Sequence, residues 1–255
     1  MKFVQQQFSN IRIVKVFNFI ILALLLFFSA TSYAQNYDDC FRNDISPQKV
    51  IDSCKSLLKD NTKTNKELSR VALRIGNLIQ LELGNVNEII GYYLISVEKG
   101  NTCGYSSIGN MYRRGYKELK IDYEKAKNYY YMDTRGCSNK MRGLGEMHLN
   151  GTGFELSVDN AIQLFTMATE LDDEDSSTRM KLCEIHSTEK HGKLNLVKAY
   201  FWCSSAVKAE NIPAVKSYYE QSRMEIYSKM SKTEFEESIR LIEKCSREKI
   251  TSLCL

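Results

Sequence analysis

One short pattern recurs along this 255-residue chain, and it constrains the fold more than any compositional value. Ile108-Gly109-Asn110-Met111-Tyr112-Arg113-Arg114-Gly115 returns as Leu144-Gly145-Glu146-Met147-His148-Leu149-Asn150-Gly151, and again as Leu182-Cys183-Glu184-Ile185-His186. Ile108, Leu144 and Leu182 are 36 and 38 residues apart, and Ile75-Gly76-Asn77-Leu78 lies 33 residues upstream of the first. Each copy is followed by a second signature, in which a small or apolar residue precedes bulky ones by three and four positions. These are Ile89 to Tyr92-Tyr93, Ala126 to Tyr129-Tyr130, Ala161 to Leu164-Phe165, and Ala199 to Trp202-Cys203. Such spacing puts all three residues on one helix face. A period of this length with two helices per copy is the signature of an all-α solenoid of antiparallel helix pairs, in which each unit buries its apolar face against its neighbours.

The residues within the copies have mechanical readings. Gly76, Gly109 and Gly145 allow close helix approach, with Tyr129, Phe165 and Trp202 expected to fill the space from the paired helix. Asn150-Gly151-Thr152-Gly153 is turn chemistry. Asp122 and Asp159 stand where a carboxylate suits the start of a second helix. Of Tyr129-Tyr130-Tyr131, two are expected to pack and one to face outward.

At these residues the chain resembles the Sel-1-like repeat family, a branch of the tetratricopeptide-like solenoids. The resemblance implies copies at 103–136 and 139–172, a third at 176–210 that matches best in its second helix, and a degenerate one at 68–100. Residues 35–67 then form an N-terminal cap and 211–255 a C-terminal helical cap, with helices expected at about 213–229 and 232–249. Ser231-Lys232-Thr233-Glu234 is a capping-box sequence for the last of these.

Eight cysteines beside three histidines favour disulfides over metal or redox chemistry if the compartment is oxidising. Roughly a hundred pairings are possible on sequence alone. In an antiparallel pair the start of the first helix lies near the end of the second, which would join Cys103 to Cys137. Cys183 takes the glycine position and Cys203 that of the second bulky residue, so these should face each other. Cys40 with Cys54 and Cys245 with Cys254 are left as clips in the caps. Buried free thiols are the alternative. No CxxC occurs, which disfavours both zinc and a thioredoxin-type role.

The compartment is read from residues 1–34. Lys2, Arg12 and Lys15 precede an apolar run, Phe17–Phe28, and small residues then lead to a cleavage point near Ala34. This is the plan of a secretory signal, and the run is short of the ~20 residues a spanning helix needs. The expected location is the periplasm or the exterior, without a stable membrane anchor. Cleavage removes those three cations, so 35 basic residues fall to 32 against 31 acidic ones, and a nucleic-acid partner loses its electrostatic basis.

No hydrolase nucleophile motif, zinc-helix motif or phosphate-binding glycine loop is present, and neither an enzymatic activity nor a cofactor is expected. The expected role is binding another protein. Tyr112, His148 and His186 share one repeat position and are the candidate partner surface; the loop Asp172-Asp173-Glu174-Asp175 is a solvated turn or an acidic patch. Two finer roles follow from resemblance alone. Some periplasmic Sel-1-like proteins act as immunity proteins against phospholipase toxins delivered by type VI secretion. Helical cysteine-rich proteins of gastric bacteria, stapled inside each repeat, include β-lactam-binding or weakly hydrolysing members, although their cysteines occupy other positions.

Overall fold

A computed structural model describes residues 38–42 and 44–247, so the expected signal segment and Cys254 lie outside the described residues. The described chain divides into two compact units, one ending at Gly100 and one beginning at Asn101. Among the described residues the regular structure is helical, with one isolated β-bridge between Tyr116 and Leu119. No helix there is long and apolar enough to cross a membrane.

The first unit contains α1 (Pro47–Leu57), α2 (Asn65–Leu81) and α3 (Val86–Glu98). Each start is written locally. Pro47 occupies the first turn of α1, Thr64 and Glu67 form a reciprocal capping box on α2, and the Asn85 side chain accepts from the amides of Asn87 and Glu88. α2 packs along α3, burying Ile75 and Ile79 against a face that carries Ile89 and Tyr93. A disulfide joins Cys40 to Cys54 with Cα atoms 4.8 Å apart, tying the segment before α1 to that helix.

The second unit runs through α4 (Cys103–Arg114), α5 (Tyr123–Met132), α6 (Ser138–Asn150), α7 (Val158–Leu171), α8 (Ser176–Ser187), α9 (Leu196–Ala209), α10 (Pro213–Tyr227) and α11 (Lys232–Arg247). α4 packs on α5, α6 on α7 and α8 on α9, and the pairs are joined in sequence by α4 on α6 and α7 on α8. α10 and α11 close the array by packing on α9. The last helix opens with a full capping box, in which Ser231 and Glu234 each hydrogen-bond the other's backbone amide.

Within the second unit, the second helix of each pair begins in one way. Asp122, Ser157 and Asn195 cap α5, α7 and α9 by accepting from the amide three residues on. Their own amides donate to the carbonyls of Tyr112, His148 and His186 at 2.8, 2.9 and 2.8 Å. The residue before each cap is aliphatic (Ile121, Leu156, Leu194) and the fourth helical position is Ala126, Ala161 or Ala199, the sequence form of a hydrophobic staple. Asp159 is therefore not the cap. It sits in the first turn of α7, where its carboxylate meets Lys193 at 2.6 Å.

Helix approach within each pair is set by one slot. A Cβ on Gly76 would lie 2.6 Å from Tyr93 Cε1, on Gly109 2.8 Å from Tyr130 Cε1, and on Gly145 2.7 Å from Phe165 Cε1. Phe165 fills the space as expected, but Tyr129 does not. Tyr130, one residue later and wholly buried, is the plug, while Tyr129 stacks on Tyr112 at 5.6 Å and Tyr131 is exposed. The physical reason is spacing: the aromatic four residues after the small residue, not three, points into the partner helix. By the same rule Cys203, and not Trp202, occupies the slot in the last pair. It meets Cys183 as a disulfide with Cα atoms 5.2 Å apart, where the other pairs hold a glycine and a ring. Trp202 is buried in the adjoining core against Phe201.

A third bridge links Cys103 to Cys137, Cα atoms 5.6 Å apart, across the ends of α4 and α5. Cys245 is also disulfide-bonded.

Candidate functional site

Two surfaces of the second unit are candidates. The first is the repeat position Tyr112, His148 and His186. The structure places all three in the last turn of the first helix of their pairs, where their carbonyls hold the next helix cap. Tyr112 is half-buried between the Tyr129 ring and the Lys125 ammonium, the latter 5.4 Å from the ring centre. His148 stacks on Phe154 at 4.5 Å. His186 is 6% exposed, with Nδ1 3.0 Å from the Lys193 carbonyl. That carbonyl only accepts, so Nδ1 carries the proton. Each of the three side chains is thus engaged within its own repeat, Tyr112 and His148 half-buried and His186 buried.

Burial pushes the His186 pKa below its ordinary value, partly offset by the Lys193 carbonyl, with the Lys198 and Lys193 charges pushing the same way as burial. The folded state thus favours the neutral ring. Stability is fully present above the unfolded value of about 6.5 and is lost as pH falls through the folded value, because unfolding then takes up a proton. Thermal melts between pH 7.5 and 5 are expected to fall more steeply for the wild-type chain than for His186→Gln. Parallel slopes would remove the histidine from the pH response.

The second surface is a groove of about 270 Å³, built by the first helices of three consecutive pairs and lined by Arg114, Arg142, Glu146, Ser177, Thr178 and Lys181, with Phe165 beneath. Its walls are joined by ion pairs that step from one pair to the next. The buried Arg113 donates to Glu146 Oε2 at 2.5 Å and, through Nε, to Tyr130 Oη at 3.2 Å, while Arg114 reaches the other Glu146 oxygen at 3.3 Å. Arg142 lies 3.2 Å from Asp175, which caps α8 by accepting from Thr178 N at 3.0 Å and Ser177 Oγ at 2.7 Å. Burial alone would raise the Asp175 carboxyl. The Thr178 and Ser177 hydrogen bonds and the Arg142 charge outweigh it and hold the group below its ordinary range. Of the acidic loop, Asp173 is solvated, whereas Asp175 is buried and committed to this cap, so the run is not a uniform patch.

Among the described residues one cluster has metal-ligand atom types, Cys103, Asp133 and Cys137. Its sulfurs are joined to each other. Asp133 is saturated: Oδ1 accepts from Thr102 Oγ1 and Arg135 N at 2.9 and 3.1 Å, and Oδ2 from Ser106 Oγ and Cys137 N. The carboxylate is a knot that holds the ends of α4 and α5, not a vacant ligand.

No family model and no curated protein sequence matches the chain. Solved structures do. A Sel1 repeat protein from Oxalobacter formigenes aligns over 85% of this chain and 87% of its own, at 20% identity and a TM-score of 0.53. The chain has the Sel1-repeat fold. A protective antigen of uropathogenic Escherichia coli displaying an SLR fold aligns over 81% of this chain and 50% of its own, at 16% identity and a TM-score of 0.41. At 20% identity the likeness to the Oxalobacter formigenes protein speaks to architecture alone, and the Sel1-repeat fold brings no site residues with it.

The groove residues were not visible in the repeat pattern. Arg114, Arg142 and Lys181 occupy different positions of their respective copies, so the three do not form a column of the repeat. The available signal was weaker: charges on first helices whose second helices supply nearly all the core aromatics.

Proposed function

We propose that this chain is a protein-binding scaffold of an oxidising compartment, and that its partner seats in the first-helix groove of the second unit. The observation that carries the reading is the groove itself, which draws on α4, α6 and α8 and so presents side chains from three helix pairs on one rigid frame. Its hydroxyls are committed to capping: Ser177 and Thr178 both donate to Asp175. The charged side chains left at its rim, Arg114 and Lys181, are groups suited to recognition. A pre-ordered helical surface binds with little ordering cost. Bridges at Cys40–Cys54, Cys103–Cys137 and Cys183–Cys203 support export, since such bonds persist where the medium is oxidising.

Ser177 is exposed on the first turn of α8, where a large side chain can be added without entering the core. Cross-linking from the native envelope with Ser177→Trp in place of the wild-type chain is expected to lose the partner while the fold is kept, the melting temperature falling only by the few degrees that loss of the Ser177–Asp175 hydrogen bond entails. Retention of the partner by this variant would move the binding surface elsewhere. The partner's identity tests the immunity reading directly, since that reading requires a secreted toxin.

A further inference from the structure

The groove has a definite sign. Arg114, Arg142 and Lys181 line it against a single carboxylate, Glu146. That carboxylate already receives Arg113 from below and Arg114 from the side. Arg142 is held by the buried Asp175. The accessible cations are therefore Arg114, 58% exposed, and Lys181, 42% exposed; Lys181 pairs at 2.7 Å with Glu184, which is itself exposed. A solvent-exposed pair of that kind contributes little and yields readily to a better partner. Arg114 is the surplus charge, because one Glu146 serves two guanidinium groups.

We infer that the occupant of the groove is an acidic peptide segment, its carboxylates bridging Arg114 on α4 and Lys181 on α8. The inference rests on the groove being the partner site. A guanidinium offers a planar fork that matches a carboxylate, and an ammonium offers a mobile point charge, so the two together accept successive acidic side chains without demanding one sequence. The chain as a whole has no excess of charge once residues 1–34 are set aside, with 32 basic against 31 acidic residues when Lys2, Arg12 and Lys15 are removed. The local cationic rim thus discriminates where global attraction does not.

The test uses the disulfide-bonded chain and a fluorescent octaglutamate peptide, with octaglutamine and octalysine as controls. Octaglutamate alone is expected to bind, weakening about tenfold from 50 to 300 mM salt as screening grows. Arg114→Gln with Lys181→Gln is expected to weaken it about tenfold, and Arg114→Glu with Lys181→Glu to abolish it; both positions are exposed, and unchanged melting temperatures certify the fold. Equal binding of octaglutamine, or binding indifferent to charge reversal, overturns the inference. The two readings fail separately. A native partner lost with Ser177→Trp but kept by the charge-reversed variant leaves the scaffold standing and removes the acidic occupant; one kept by Ser177→Trp removes the groove itself.

Discussion

Replacing Tyr130 by alanine is expected to cost about 3–5 kcal/mol, the range for emptying a buried aromatic site. Tyr130 is wholly buried and is bracketed by two glycines from two successive first helices. One is Gly109 of its own pair, and the other is Gly143 of the next, where a Cβ would overlap the phenol oxygen. Its hydroxyl donates to Asn110 Oδ1 at 2.9 Å and accepts from Arg113 Nε at 3.2 Å, so the same side chain anchors the guanidinium that reaches Glu146 in the groove wall. Tyr130→Ala therefore loses ring packing and leaves a buried arginine short of a partner. Tyr130→Phe isolates the second part, at about 1–3 kcal/mol for unpaired polar groups. The converse change, Gly109→Ala, puts a methyl group 2.8 Å from the ring and 3.1 Å from the Ala126 carbonyl, which cannot swing aside; about 1–3 kcal/mol is expected for overpacking. Chemical denaturation of the three variants checks the order. A Tyr130→Ala loss no larger than that of Tyr130→Phe would show that the slot does not organise the array.

That slot also shows what the sequence could and could not reveal. Periodicity identified helix pairs because apolar spacing of three and four is a property of one helix face and survives substitution. It named Tyr129 and Trp202 as plugs because the signature contains adjacent bulky residues, and one position along a helix is a turn of about 100°. Only the paired helix decides which of the two points inward. The glycines were legible for the opposite reason: a missing side chain is a steric statement that does not depend on orientation. Tyr112, His148 and His186 were found as a column, but the column exists because backbone carbonyls at that position receive the amides of Asp122, Ser157 and Asn195. A backbone requirement leaves the side chain free to vary, and tyrosine and histidine then settle against whatever their own loops provide. The groove cations Arg114, Arg142 and Lys181 share no column, since helix stacking does not require a charge at any one of those positions.

The disulfide in the last pair yields the second large effect. Cys183 and Cys203 stand where Gly145 and Phe165, Gly109 and Tyr130, and Gly76 and Tyr93 stand in the other pairs, so a covalent bond replaces a packed ring. Removing it as Cys183→Ala with Cys203→Ala is expected to cost about 3 kcal/mol, the chain-entropy value for a loop of this size, or about 6–12 °C in melting temperature. The sequence separation is 20 residues, and both cysteines are buried, so solvent does not fill the space. If the slot is one mechanical element with two chemical solutions, Cys183→Gly with Cys203→Phe should recover at least half of that loss without any bond between the helices. The comparison is made under oxidising conditions, where the other bridges persist in all three proteins and only the slot differs. Met180 gives a local reporter, since its sulfur lies 3.9 Å from Cys203 Sγ and must meet a ring edge in the restored slot. A glycine–phenylalanine variant no more stable than the double alanine would mean that the last pair holds its helices apart by a distance only the disulfide spans. In that case the shift from glycine and ring to paired cysteines marks a change in helix spacing at the end of the array, and not a substitution within one design.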